Sequence, residues 1–303
     1  MKKRVVGLGE VLWDLLPGRT CLGGAPANFA YITTLMGDQG IVASRVGEDS
    51  RGLEALRRME ELGLDIDHVQ TDRASPTGTV KVELDGNGAP RFEIAHPVAW
   101  DSLAWTPDWQ RLAENVDAVC FGSLAQRSEA SRATILKFLR ATPPGTLRVF
   151  DVNLRQSYYS HEVLAESMRL ADIVKLNDEE LPKIMSLGKL PHKDEVSSAQ
   201  RLISAYDLKL VCITRGGRGS LLVCDKAARG CPSEHPGFHV RVADTVGSGD
   251  AFTAGLVHEY LHGASLDLMN EVANLVGAWV ASEVGAMPAP KRGALEHSLA
   301  EIR

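Results

Sequence analysis

Short runs of apolar and β-branched residues alternate along the chain with longer stretches whose apolar positions recur every three or four residues. A brief continuous apolar run reads as a strand buried on both faces, and a period near 3.6 reads as a helix packed on one face. The runs predict strands at Val5–Leu8, Ile41–Val46, Ala118–Phe121, Arg148–Val152, Ile173–Leu176, Leu210–Thr214 and Ser220–Val223. The periodic stretches predict helices at Ala27–Met36, Gly52–Leu62, Glu129–Arg140, Glu162–Leu170, Ser197–Ala205, Gly249–His262 and Leu266–Val284. In Gly249–His262, Phe252, Leu256 and Tyr260 recur at spacing four with Val257 and Leu261 beside them, which reads as an amphipathic stripe. Strand–helix alternation of this kind predicts an α/β fold with a mainly parallel sheet covered by helices on both faces.

One stretch breaks the alternation. Thr79–Leu84 and Arg91–Ile94 are strand-like and are joined by Asp85-Gly86-Asn87-Gly88, a hairpin signal. A hairpin inside an α/β chain predicts a small β-sheet lid over the carboxyl edge of the main sheet, where such folds bind ligands. Glu10–Leu22 is a candidate source of further lid strands. The expected organisation is one domain over residues 1–303, with a discontinuous lid from about 10–22 and 77–98.

Composition narrows the function. The 303 residues are 44% hydrophobic and 24% charged, as in ordinary globular proteins. A net charge of -6 argues against non-specific nucleic-acid binding, which usually shows as a basic patch. No apolar run approaches the roughly 20 residues of a membrane-spanning helix. Val5–Leu8, after the basic Met1–Arg4, is too short for a signal-peptide core, so a cytoplasmic protein with no membrane partner is expected. Cys21, Cys120, Cys212, Cys224 and Cys231 are odd in number and widely spaced, which argues against a disulfide framework or a zinc site. The nine histidines are read as lacking HExxH or any paired-ligand spacing, and so as ordinary surface or core residues.

The chemistry concentrates in glycine-rich segments. Asp244-Thr245-Val246-Gly247-Ser248-Gly249-Asp250 opens directly into a helix. Glycines there let a ligand approach backbone N–H groups, and the helix N-terminus adds partial positive charge, so an anion belongs at that place. Asp250 then stands beside an anion site. A base that takes a hydroxyl proton during phosphoryl transfer explains it; the alternative is a helix-capping acid. GxxxxGK[ST] is absent, and neither Gly7-Leu8-Gly9 nor Gly247-Ser248-Gly249 completes a dinucleotide fingerprint. Thr214-Arg215-Gly216-Gly217-Arg218-Gly219 follows a strand and can lie against a nucleotide, or be a tight turn to Ser220–Val223. Asn177 and Glu180 share one face of a first helical turn. They can order magnesium through water, or cap the helix. Asp14 and the run Gly23-Gly24-Ala25-Pro26-Ala27-Asn28 are candidate contacts to sugar hydroxyls, with a plain helix-start role as the alternative for Asn28.

Taken together and in this order, these motifs resemble the ribokinase-like (PfkB) carbohydrate kinases across nearly the whole chain. Gly9-Glu10-Val11-Leu12-Trp13-Asp14 and Asp151-Val152-Asn153-Leu154-Arg155 are similar to the fructokinase branch. The resemblance implies a ribokinase-like three-layer α/β/α fold, with ATP and Mg2+ as cofactors. It implies Asp250 as general base and the backbone of Gly247, Ser248, Gly249 and Asp250 as anion hole. Asp14, Gly23, Gly24 and Asn28 would hold the sugar, and Arg155 would bind sugar or phosphoryl oxygens. Asn177 and Glu180 would organise magnesium-ATP, Thr214, Gly216 and Gly219 would line the phosphates, and Asn274 would lie near the adenine. Asp244 is the candidate ligand for K+. Two departures stand out: Ser248 where alanine is more usual, and Ala289 where some relatives place a cation-binding serine.

The expected activity is transfer of the ATP γ-phosphoryl group to a primary hydroxyl of a small sugar, fructose first. The alternatives are a 2-keto-3-deoxygluconate kinase, with Arg91 and Arg155 as cations for the substrate carboxylate, and a ribokinase or nucleoside kinase. A non-catalytic sugar-binding regulator ranks below these, because binding alone needs no base. A homodimer through the lids is also expected, since a small sheet exposes its edges.

Overall fold

The computed structural model describes residues 2–84, 90–225 and 231–289. Among them the strands are β1 Arg4–Leu8, β2 Leu12–Leu16, β3 Arg19–Gly23, β4 Gln39–Gly47, β5 Val69–Asp72, β6 Gly78–Leu84, β7 Pro90–Ile94, β8 Ala118–Gly122, β9 Leu147–Asp151, β10 Ile173–Asn177, β11 Leu210–Thr214, β12 Ser220–Cys224 and β13 Ser233–His235. The helices are α1 Ala25–Leu35, α2 Ser50–Glu61, α3 Pro107–Ala113, α4 Glu129–Ala141, α5 His161–Leu170, α6 Glu180–Leu187, α7 Glu195–Tyr206, α8 Ser248–Leu261 and α9 Leu266–Ser282.

The main sheet has the order β13-β12-β11-β10-β9-β8-β1-β4-β5. From β11 to β5 every pairing is parallel, and β12 and β13 are added antiparallel at one edge. Its two faces bury separate apolar layers. One is built with Trp109, Phe138, Leu164, Ile184 and Leu202 of α3 to α7. The other uses Phe29, Met59, Phe252, Leu256 and Val276 of α1, α2, α8 and α9. This is the expected three-layer α/β/α arrangement. The second sheet, in the order β3-β2-β6-β7, is the expected smaller one. Its β6–β7 hairpin pairs Val80 with Ile94, and the turn expected at Asp85–Gly88 lies outside the described residues.

Four elements escaped the sequence pattern for local reasons. β5 is Val-Gln-Thr-Asp at the sheet edge, and β13 is three residues long. α3 has seven residues, and α6 carries Pro182 within eight. The stripe expected on α8 also needs correction: Ala251 through Glu259 are all buried. α8 is enclosed by the sheet, α1 and α9, and a Cβ on Gly255 would come within 3.1 Å of Ala273 Cα. Burying side chains such as Phe252, Leu256 and Val257 is worth about 1.5–3 kcal/mol each, which fixes this helix firmly.

Consequently the carboxyl ends of β1, β8, β9, β10 and β11 and the N-terminus of α8 share one edge of the sheet. β2 leaves β1 after a three-residue link, which sets the small sheet beside that edge.

Candidate active site

Gly247 caps α8 in the left-handed region, at φ 79°. A Cβ there would also stand 2.4 Å from the Cβ of Ala286, so only glycine fits. Ser248 turns back on Thr245: its N–H and Oγ donate to the Thr245 carbonyl at 3.3 and 2.9 Å. The N–H groups of Gly249 and Asp250 have no acceptor inside the helix, and they open the positive end of its dipole. Asp250 does not behave as a capping acid. Its Oδ2 accepts from Asn28 Nδ2 of α1 at 2.8 Å rather than from its own helix. Burial raises the Asp250 carboxyl to about 6; Asp151 adds to the rise, and Asn28, Lys175 and Arg155 oppose it.

Beneath this turn lies a group that the sequence reading missed. Lys175 of β10 is buried, with Nζ 3.2 Å from both oxygens of Asp151 on β9. Thr253 Oγ1 of α8 donates to Asp151 at 3.0 Å. A Cβ on Gly249 would meet Lys175 Nζ at 3.0 Å, so the ammonium sits directly under the N-terminal turn. Burial works against its charge, but Asp151, Glu180 and Asp250 together hold its pKa above the ordinary lysine value. The signal was present: a lysine in the middle of an otherwise apolar strand, level with Asp151 in the β9–β10 register.

On the small-sheet side, Asn28 and Glu10 are both buried, at 4% exposure. Asn28 Oδ1 and Glu10 Oε2 have no hydrogen-bond partner, and buried acceptors in that state call for a donor. Burial pushes Glu10 to about 7, with Asp250 adding and Arg155 opposing. Gly24 caps α1 at φ 109°, and a Cβ there would lie 2.4 Å from the Glu10 carbonyl. Asp14 of β2 is half-buried over Gly23, whose Cβ would stand 2.7 Å from Asp14 Oδ2. Burial raises Asp14 to about 6, against Arg155. Arg155 is exposed, and its positive charge reaches Glu10, Asp14 and Asp250. It follows a turn in which Asn153 takes φ 40°, a left-handed conformation that asparagine tolerates. Glu10, Asp151, Asn153, Asp250 and Thr253 line a cavity of about 10 Å³, room for roughly one water.

The expected nucleotide residues lie further along the same edge. Asn177 Oδ1 accepts from the N–H groups of Glu179 and Glu180, at 3.0 and 2.8 Å, so it does cap α6. Glu180 is buried and accepts from the N–H groups of Leu154 and Asn177, at 2.7 and 2.9 Å. Each of its oxygens keeps a second lone pair, which can accept from a water of a magnesium shell. Thr214–Gly219 is a tight turn between β11 and β12, as its plainer reading holds, yet Gly216 and Gly217 have open space above them. Asn274 is buried on α9, where its amide donates to Ser220 Oγ at 2.7 Å and to Asn270. Asp244 Oδ2 is 2.6 Å from Arg19 of β3. That carboxylate already pairs with the Arg19 guanidinium, whose side chain is 41% exposed.

The histidine reading also needs correction. His258-Glu259-Tyr260-Leu261-His262 places two imidazoles four residues apart, one in the last turn of α8 and one at its C-cap, and Asp38 joins them at that end of the helix.

The pattern of the pfkB carbohydrate kinase family matches residues 19–292. The chain belongs to this family. It is therefore a phosphotransferase acting on a sugar hydroxyl, of the fructokinase type. It is 33% identical to the fructokinase of Klebsiella pneumoniae, over 99% of this chain and all of that one. It is 32% identical to the Escherichia coli fructokinase, over 98% and 99%. An uncharacterized sugar kinase of Pyrococcus horikoshii in complex with ATP superposes with a TM-score of 0.82 at 29% identity, over 98% of this chain and 99% of that one. The Vibrio cholerae O395 fructokinase, in its fructose, ADP and calcium ion bound form, superposes with a TM-score of 0.81 at 26% identity, over 99% of both. No helix among the described residues of this kinase is long and apolar enough to cross a membrane.

Proposed function

We propose that this carbohydrate kinase transfers the γ-phosphoryl group of ATP to a primary hydroxyl of fructose, with Asp250 as the general base. The observation that carries the reading is the placement of Asp250: a carboxylate held by Asn28 at the open N-terminus of α8, beside backbone N–H groups. Fructokinases matched end to end support the sugar, and a related kinase structure with ATP supports the nucleotide.

In this reading the sugar hydroxyl lies against Asp250, which takes its proton as the phosphoryl group arrives. With a pKa near 6 the carboxylate is ionised at neutral pH and still basic enough to accept the proton. The N–H groups of Gly247, Gly249 and Asp250 face the transferring group, where charge spreads over its oxygens, while that of Ser248 is turned to Thr245. Arg155 adds positive charge from the open side. Glu10 Oε2 and Asn28 Oδ1 accept hydroxyl donors from the sugar, and Asp14 closes the set from β2, with Gly23 and Gly24 allowing close approach. Asn177, Thr214, Gly216, Gly219 and Asn274 form the nucleotide side. Magnesium, when bound with ATP, neutralises phosphate charge, and Glu180 would hold it through water.

Three carboxylates around the sugar position, Glu10, Asp14 and Asp250, disfavour an anionic substrate such as 2-keto-3-deoxygluconate. Kinase assays with a sugar panel test this directly. Fructose should give a higher kcat/KM than ribose, adenosine or the keto acid, and a tenfold preference for the keto acid would refute the fructose reading. The four strands of the small sheet would act as the lid of a single kinase domain. Two copies would pair through its edges, and a monomer by light scattering at micromolar concentration would refute that pairing.

A further inference from the structure

We propose that Asp38, His258 and His262 form a binding site for a transition-metal dication, zinc in the first instance, at the end of α8 remote from the reaction. The ligand atoms already converge. His258 Nδ1 is 2.7 Å from Asp38 Oδ2, and His262 Nε2 is 3.4 Å from Asp38 Oδ1. One ligand atom from each of the three lies within 4.8 Å of the others. Zinc takes such ligands at about 2.0–2.1 Å in tetrahedral array, which sets neighbouring ligand atoms roughly 3.3 Å apart. The cluster therefore closes on an ion with small side-chain shifts.

Local structure favours this. His258 stands in the last turn of α8 and His262, four residues on, caps its C-terminus, which brings the two rings together with centroids 4.4 Å apart. Asp38 follows α1 in the link to β4, and its Oδ1 accepts from the Lys3 N–H at 3.0 Å, a bond that orients the carboxylate from behind. Asp38 and His258 are buried, while His262 is 41% exposed. That leaves an entry path and an open coordination position for water. Ligation through Nδ1 of His258 places its ring proton on Nε2. Two imidazoles with one carboxylate select zinc, cobalt, nickel or copper over magnesium, so the ion bound with ATP does not compete for this site.

The position gives the site its meaning. α1 carries Asn28 and α8 carries Asp250, and these residues meet at 2.8 Å at one end of the helix pair. The Asp38 cluster joins the other ends, roughly 12–18 Å along the axis of α8 from Asp250. An ion there clamps the two helices that align the base.

The test uses the tag-free full chain, stripped with a chelator, without nucleotide and with excess Mg2+. Co2+ is titrated while its visible d–d absorption and the Tm are followed. The expected result is one Co2+ per chain, displaced by Zn2+, with Tm raised on the order of 5 °C at a hundredfold excess over Kd. His262→Ala, at an exposed position, should weaken Co2+ binding at least tenfold, and Asp38→Asn should do the same. Glu180→Gln, on the nucleotide side, should leave it unchanged. The proposal is overturned if the unaltered chain shows no Co2+ binding at 100-fold molar excess of metal. It is equally overturned if His262→Ala binds as tightly as the unaltered chain, or if Glu180→Gln is the variant that loses the metal.

Discussion

Replacing Lys175 with methionine separates what holds the fold from what drives the reaction. The substitution keeps most of the side-chain volume and removes the ammonium that lies 3.2 Å from both Asp151 oxygens. Asp151 is then a buried carboxylate with only Thr253 Oγ1 still donating to it among these partners. Breaking a buried pair from one side typically costs about 3–5 kcal/mol, or roughly 5–8 °C in Tm for a chain of this size. The double variant Asp151→Leu/Lys175→Met removes both charges, and Tm should recover most of that loss, because well-packed apolar replacements of buried pairs are often neutral. Turnover should not recover. The ammonium lies under Gly249, so both variants lose positive charge below the anion hole, a loss of about 10²-fold in kcat by analogy with removal of one oxyanion donor. The pH profile adds a second readout. Lys175 lowers the Asp250 pKa and Asp151 raises it. The acid limb of kcat should therefore move to higher pH in Lys175→Met and return in the double variant. If the double variant regains both Tm and kcat at pH 8, Lys175 is a packing element and its role in phosphoryl transfer is refuted.

Glu10→Gln should stabilise the protein at pH 8. The folded pKa of about 7 lies above the ordinary 4.5, so the cost of the buried charge is fully present above pH 7 and vanishes below 4.5. The gain is on the order of 3 kcal/mol at pH 8; denaturant titrations across this range check it, and an advantage that grows as pH falls would contradict it. The same substitution should raise the sugar KM, since an amide cannot accept with the strength of a carboxylate. Rates in potassium and in a large inert cation should be equal, because Arg19 already faces Asp244. Arg19→Ala should introduce a potassium dependence, and strong activation of the unaltered enzyme by potassium would contradict this arrangement.

Where a sequence signal was local and strong, it survived folding. The seven anticipated strands all form, because apolar runs buried on both faces have few alternatives. Gly247 and Gly249 were legible as backbone positions, and the structure supplies the reasons as contacts with Ala286 and Lys175. Pairings over long separations were not legible. Asn28 reaches Asp250 across 222 residues, and Thr253 reaches Asp151 across 102. No periodicity encodes such partners; topology creates them by bringing α1, α8 and β9 to one sheet edge. Lys175 was hidden for a related reason: inside an apolar strand it counts as an interruption until Asp151 is placed beside it. The stripe on α8 misled because nothing within the helix reveals that α9 covers its other side.

Asp250→Asn, with kcat and Tm measured on one preparation, tests the central claim most directly. The amide keeps the size and can still accept from Asn28, but it cannot take a proton. kcat should fall by about a thousandfold or more, while KM for ATP and for fructose change far less. Tm at pH 8 should hold or rise, since the substitution removes a buried carboxylate that is ionised at that pH at a cost shown by its raised pKa of about 6. Near-normal turnover together with a loss of about 1 kcal/mol in stability is what a helix-capping acid would give, and it would contradict the assignment of Asp250 as the base.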